Sequence, residues 1–219
     1  MVLHIFLVDC EIELIPEEIV NHPCIKKDAK KRKKKAKEIL LDSSLHHSAM
    51  LNLKEKERRG RPDIVHVSLL IALESILNKE GMLSFTIHTR NNEIIHVNPE
   101  MRVIKNYNRF KGLMEQLFLK KVVPSPENPL MRMEKKKLAD VLEERKVEKI
   151  ILLSQKGERK PLEKVLKRDV ACIIGGFPYG DFHSPAKSLA DEIISIHPTP
   201  LPAWIAVMEC ICVYEKIYL

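Results

Sequence analysis

The chain reads as an α/β protein built on a mostly parallel, buried sheet, and three observations carry that reading. Residues 2–8 (VLHIFLV) are apolar apart from His4, as expected of a strand covered on both faces. From Lys149 onward, apolar runs alternate with helical stretches, the pattern of parallel strands joined by crossovers. Two of those runs, 171–174 and 193–196, end in turns built on Gly175-Gly176 and His197-Pro198-Thr199-Pro200. Open α/β sheets place their ligands at such carboxyl ends of strands.

The elements follow in order. Residues 2–8 are the first strand, 17–20 a short helical turn and 26–37 a basic loop. RRGRPD at 58–63 breaks the chain with glycine and proline, and a helix runs from Asp63 to about Lys79, stopped by Gly81. Residues 83–89 and 93–97 form a hairpin turning at Arg90-Asn91-Asn92. Helices are predicted over 110–119 and 134–145, then strand 150–154, helix 161–168, strands 170–174 and 193–196, and a final helix. The length suits one domain over 1–219, with residues of about 82–110 as a β-rich insert.

Composition excludes several classes. With 45% hydrophobic residues the chain can bury a core. The apolar stretch 201–219 contains Pro202, Glu209, Glu215 and Lys216, which suits a buried or interface helix rather than a membrane span. No segment reads as a signal peptide, because Asp9, Glu11 and Glu13 interrupt the first apolar run. The five cysteines have no metal-ligand spacing, so no metal is expected and the compartment reads as reducing and cytoplasmic. The net charge of +7 comes from one place. Residues 26–37 hold nine basic residues and one acid, against 28 basic and 29 acidic residues elsewhere. That run is either a solvated loop or an arm that contacts phosphates.

Three constellations could carry chemistry. In RRGRPD, Arg61 and Asp63 stand two apart, so the carboxylate can hold the guanidinium in a fixed pose; alternatively Asp63 only caps the following helix. In NPEMRVIKNYNRF (98–110), Arg102, Lys105 and Arg109 are spaced by three and four with Tyr107 between them. If helical, they share a face that suits phosphates and a stacked base; the other reading is a solvated surface. In LDSSLHHSAM (41–50), adjacent histidines of an extended segment point apart, so hydrogen bonding that shapes a pocket is favoured over a metal or a nucleophilic serine.

Taken together and in this order, DSSLHHSAM, RRGRPDIVH, HTRNN, NPEMR with NRFKGLMEQL, IIGGFPYGDF and PLPAW resemble the archaeal and eukaryotic rRNA pseudouridine N1-methyltransferase family of small-subunit ribosome biogenesis. The resemblance runs from about Glu13 to Tyr214. That family belongs to the SPOUT, or α/β-knot, methyltransferases, which implies a C-terminal trefoil knot, a homodimer and S-adenosylmethionine as methyl donor. It assigns donor contacts to Gly175, Gly180, Ile196, His197, Pro198, Thr199, Pro200 and Leu201, with Ser154 as a further candidate. Arg61 matches a substrate-contacting arginine and Asp63 the acid that orients it; Arg102, Lys105 and Arg109 match a basic triad on small-subunit rRNA. Where relatives can carry arginine, Lys105 keeps the charge and loses the bidentate fork. Ribosomal proteins or assembly factors are further candidate partners. A second reading is an rRNA-binding assembly factor whose methyl transfer is secondary or lost; a SPOUT enzyme acting on tRNA would not account for RRGRPD with the triad.

Overall fold

A computed structural model describes all 219 residues. One eight-stranded sheet organises the chain, in the order β4-β5-β3-β2-β1-β7-β6-β8. Its strands are β1 (Val2–Cys10), β2 (Leu83–Thr89), β3 (Glu93–Val97), β4 (Val122–Pro124), β5 (Pro129–Lys135), β6 (Lys149–Arg159), β7 (Asp169–Gly175) and β8 (Glu192–Ser195). β2, β1, β7, β6 and β8 run parallel, whereas β3, β5 and β4 extend one edge antiparallel. The helices are α1 (Pro23–Arg32), α2 (Ser43–Met50), α3 (Pro62–Leu73), α4 (Ile76–Lys79), α5 (Tyr107–Lys120), α6 (Leu138–Glu144), α7 (Ala186–Leu189) and α8 (Ala203–Tyr218).

β1 explains why the sheet is covered twice. Leu3, Ile5 and Leu7 enter a core with residues of α3, α5 and α8, while Phe6 and Val8 pack with Leu138, Val141 and Ala186 on the other face. Alternate side chains of one strand thus serve two layers, and each large buried residue contributes about 1.5–3 kcal/mol. A third cluster, with Ile15, Ile25, Ala29, Leu41 and Met50, sits under α1 and α2 beyond the carboxyl end of β1.

The sequence-based expectations hold for β1, the 83–97 hairpin and its turn, the strands β7 and β8, and the final helix. Several others are corrected. The basic loop expected over 26–37 is mostly helix: His22 caps α1 by accepting from the Cys24 amide, Pro23 stands in the first turn, and Ile25 and Ala29 bury one face. The cations on the other face had masked that spacing. The insert expected over 82–110 does not stand apart, because β2 pairs parallel with β1 at the sheet centre. Residues 43–50 are helical, started by Asp42, rather than extended. The helix expected from Asp63 to Lys79 breaks at Glu74, where Ser75 caps α4 separately. Residues 129–135 form β5, with Met131 and Met133 alternating inward against Val97 and Ile95, so the helix there starts only at Leu138. Residues 161–168 form a single 3-10 turn at Leu162–Lys164.

His4 lies in β1 with an unpartnered buried Nδ1. Burial, reinforced by the Arg145 charge, lowers its pKa to about 4 from an ordinary value of 6.5. Its folded pKa is depressed, so the unfolded chain binds more protons between those values, and stability falls as pH drops from about 6.5 to about 4. The largest contribution is about 3 kcal/mol. In urea titrations, His4→Asn is expected to flatten the loss of stability across this pH window. An unchanged slope would contradict neutral burial of His4.

Candidate functional site

The middle of β6, the carboxyl ends of β7 and β8 and the start of α8 enclose a cavity of about 520 Å³. That volume lies in the range of small-molecule sites. Its wall includes Ser154, Gly175, Gly180, Ile196, His197, Thr199, Pro200 and Leu201, so most of the donor positions expected from the sequence come together. Pro198 lies off the cavity. Leu153, Ile174 and Ala206 supply an apolar floor, and the glycine turn leaves backbone accessible, a lining that fits a flat nucleoside. The Ser195 hydroxyl donates to the His197 carbonyl (2.8 Å), and the Thr199 amide donates to His197 Nδ1 (3.2 Å), so the proline turn is internally braced.

Two contacts between β1 and β7 make the glycine turn possible. The Gly176 amide donates to the Val8 carbonyl at 2.7 Å, and a Cβ on Gly176 would lie 2.3 Å from Cys10 Sγ. Only glycine permits that approach. Gly180 turns with φ +94°, a conformation costly for any residue with a side chain.

Beyond the glycine turn, buried charges hold the loop from both ends. Asp9 Oδ2 accepts from the amides of His183 (2.8 Å) and Ser184 (3.1 Å). Burial pushes the Asp9 carboxyl up, but its hydrogen bonds with His88 and these amides outweigh burial and hold it below the ordinary range. At the other end Arg58, only 4% exposed, donates through Nη1 to the Asp181 carbonyl and lies over the Phe177 ring, 3.9 Å from its centroid. Its Nε donates to Glu11, a fully buried carboxylate that also accepts from Arg90. Arg59 beside it forms a bidentate pair with Glu13 at 2.7 and 2.8 Å.

The RRGRPD turn places the other expected pair. Arg61 Nε donates to Asp63 Oδ1 at 2.8 Å and Nη2 donates to Oδ2 at 2.7 Å. Hydrogen bonding to Asp63 raises the Arg61 pKa against the opposing effect of burial. Asp63 makes no capping bond; Arg61 occupies the cap position of α3 and Pro62 the first turn, so the capping alternative is set aside. The Arg61 amide donates to the Glu11 carbonyl at 2.8 Å, so the clamp and the glycine loop share Glu11 as an anchor.

Arg102, Lys105 and Arg109 are all exposed and none has an acidic partner. They do not share a helical face, because only Arg109 lies in α5 and residues 98–106 are irregular. Tyr107 does not project among them as a stacking ring. It is half-buried, its hydroxyl donates to Asp42 (3.1 Å), and burial, with the Asp42 charge, raises its pKa far above the ordinary phenol value. Asp42 also accepts from Lys111 at 2.6 Å, which shows how the 41–50 segment shapes this surface. No group of histidine, cysteine and acidic residues is arranged to hold a metal ion, and no helix is long and apolar enough to cross a membrane.

Sequence reasoning missed Arg58, Glu11, Glu13 and Arg90. Their pairings span 46 to 79 residues, beyond any local spacing rule. The only local signal was the pair of acids Glu11 and Glu13 directly after the buried first strand.

Comparison with known proteins gives a consistent result. The EMG1/NEP1 methyltransferase family matches residues 5–215. The Pyrococcus furiosus protein named ribosomal RNA small subunit methyltransferase Nep1 is 49% identical, over 97% of this chain and 96% of its own. The Staphylothermus marinus protein of the same name is 46% identical over 99% and 96%. The crystal structure of Archaeoglobus fulgidus Nep1 bound to S-adenosylhomocysteine superposes with a TM-score of 0.90 at 36% identity, covering 99% of both chains.

Arg58 braces the loop that walls the cavity, so Arg58→Met should speed amide hydrogen exchange of residues 177–182 about tenfold or more at a temperature where the variant is folded. Unchanged exchange would show that the loop keeps its shape without the guanidinium.

Proposed function

This chain belongs to the EMG1/NEP1 methyltransferase family, and from that premise we propose that it methylates N1 of a pseudouridine in small-subunit ribosomal RNA. It is an S-adenosylmethionine-dependent rRNA methyltransferase of ribosome biogenesis. The observation that carries the finer reading is the Arg61–Asp63 clamp anchored on Glu11, the same residue that steadies the donor loop through Arg58.

The expected donor residues are Gly175, Gly180, Ile196, His197, Pro198, Thr199, Pro200 and Leu201, with Ser154. Pro198 would act by stiffening its turn rather than by direct contact. S-adenosylmethionine, when bound, supplies a methyl group that is already electrophilic, so the protein's own task is alignment and charge management. Pseudouridine is joined to its sugar through carbon, which leaves N1 free and protonated; uridine has its sugar there and cannot react. Arg61 spends two of its five N–H donors on Asp63 and keeps three for the carbonyls of the base. Those donors stabilise the negative charge that develops on the ring as the N1 proton leaves to water. Asp63 is occupied by the guanidinium and acts as an orienting residue rather than a base. Exposed Arg102, Lys105 and Arg109 contact rRNA phosphates, Lys105 as a point charge.

Three finer features belong to the same proposal. The C-terminal segment is threaded as a SPOUT-type trefoil knot. This is supported by the tail of β6, which bends back to pair Glu158 and Arg159 with Ile194 and Ser195. Gly157 permits the crossing, since a Cβ there would lie 2.6–2.7 Å from the Ile193 and Ile194 backbone. The working unit is a homodimer through α8, whose partly exposed Trp204, Ile205 and Met208 and exposed Cys212 form an outward stripe, while Ile211 is buried inside. Its compartment is the cytoplasm, and ribosomal proteins or assembly factors are its further partners.

Mass spectrometry of a small-subunit rRNA fragment after incubation with S-adenosylmethionine tests the reaction. Mass should increase by one methyl group only when the target nucleotide is pseudouridine, and methylation of the uridine version would refute the assignment. Arg61→Ala should lower the methylation rate at least about a hundredfold, as loss of a charge-stabilising donor does, with S-adenosylhomocysteine affinity nearly unchanged. Loss of that affinity would refute the placement of Arg61 on the base side. Lys105→Ala should reduce the slope of log affinity for rRNA against log salt by about one unit.

A further inference from the structure

The basic segment 26–37 has no part in the donor cavity or the Arg61 clamp, yet the fold holds it in place. Ile25 and Ala29 pack α1 onto the satellite core. Arg32 at the end of α1 and Lys34 just beyond it converge on Glu115 of α5, which is fully buried and accepts from Arg32 Nη1 and Nη2 at 2.7 Å each and from Lys34 Nζ at 2.5 Å. The Leu40 amide donates to the same carboxylate at 3.0 Å. A flexible tail would need none of this.

With its inner cations neutralised by Glu115, the outer face of the segment presents Lys26, Lys27, Lys30, Lys31, Lys33 and Lys37, all exposed and none in an ion pair. Lys26 and Lys30, like Lys27 and Lys31, stand one helical turn apart on one side of α1. The ridge also lies on the substrate side. It follows the carboxyl end of β1, where the Arg61 amide is tied to Glu11. Asp28 of α1 approaches His46 (3.5 Å), and the ring of His46 accepts from the Asp42 amide. The Asp42 carboxylate in turn receives Tyr107 and Lys111 of α5, the helix that carries Arg109.

We propose that α1 and the turn after it form a second, rigid phosphate-binding ridge that grips rRNA outside the target nucleotide and extends the surface of Arg102, Lys105 and Arg109. This rests on the rRNA-methyltransferase reading and adds a contact surface to it. Mobile lysines on a fixed helix suit the shape-independent, counterion-releasing part of nucleic-acid binding. Base selection stays with Arg61.

The test compares two sets of neutral substitutions in the full-length protein. One is Lys26→Gln, Lys27→Gln, Lys30→Gln and Lys31→Gln together. The control is Lys79→Gln, Lys146→Gln, Lys164→Gln and Lys167→Gln, exposed lysines just before the amino ends of β2, β6 and β7 and so at the opposite edge of the sheet. Affinity for a long small-subunit rRNA fragment is measured across salt concentrations, and methyl transfer is measured on the same fragment and on a minimal hairpin. Each lost phosphate contact lowers the salt slope by about 0.7–0.9. The ridge variant is expected to lose about 1.4 or more while the control keeps the wild-type slope, and methylation of the minimal hairpin is expected to survive. Equal slopes for the two variants overturn the ridge, including the case in which it docks an acidic protein instead. A wild-type protein that binds the fragment without methylating it would fault the functional reading, and the slope comparison would still decide the ridge. A wild-type protein that binds no rRNA overturns both.

Discussion

A buried carboxylate at the end of the first strand is the constraint on which the rest of the site depends. Glu11 is inaccessible to solvent and is neutralised by Arg58 and Arg90. An unpaired buried charge would cost several kcal/mol, so this pairing fixes where both arginines must go. Arg58 carries the constraint into the glycine loop through the Asp181 carbonyl and the Phe177 ring. The Glu11 backbone carries it into the RRGRPD turn through the Arg61 amide. In the proposed reaction, the loops that would meet the two reactants are thereby referred to one rigid point. Transfer chemistry that depends on alignment needs such a shared reference.

The fold supports this by burying both faces of β1 and letting its carboxyl end emerge between the layers. Asp9, Glu11 and Glu13 follow one another there, and each has its own partners: the amides of residues 183–184, Arg58 with Arg90, and Arg59. The acidic residues at the carboxyl end of this buried strand are therefore joints of the structure. The charge of the segment 26–37 follows the same logic, since its inner cations close on Glu115 and only the outer ones remain free for a partner.

Much of this was legible in the sequence, and the limits have physical causes. The two strands opening into glycine and proline turns located the cavity, because local composition dictates such turns. The Arg61–Asp63 pair was legible as one of two readings, since two residues of separation put both side chains within reach. The helix α1 was hidden because its five cations overwhelm the two buried positions that make it amphipathic. The strand β5 was hidden because its lysine-rich end continues smoothly into α6. The network of Arg58, Glu11 and Arg90 could not be read at all, since only the fold brings together residues so distant in the chain.

The central claim is that one anchor holds a methyl donor site and an arginine clamp in register for a single transfer. A crystal structure with S-adenosylhomocysteine and a pseudouridine-containing rRNA fragment would examine it directly. The account predicts the nucleoside in the cavity beside Gly175 and Gly180, the target base flipped out with N1 facing the sulfur, and Arg61 on its carbonyl oxygens. A base held away from Arg61, or turned with N1 away from the sulfur, would contradict it.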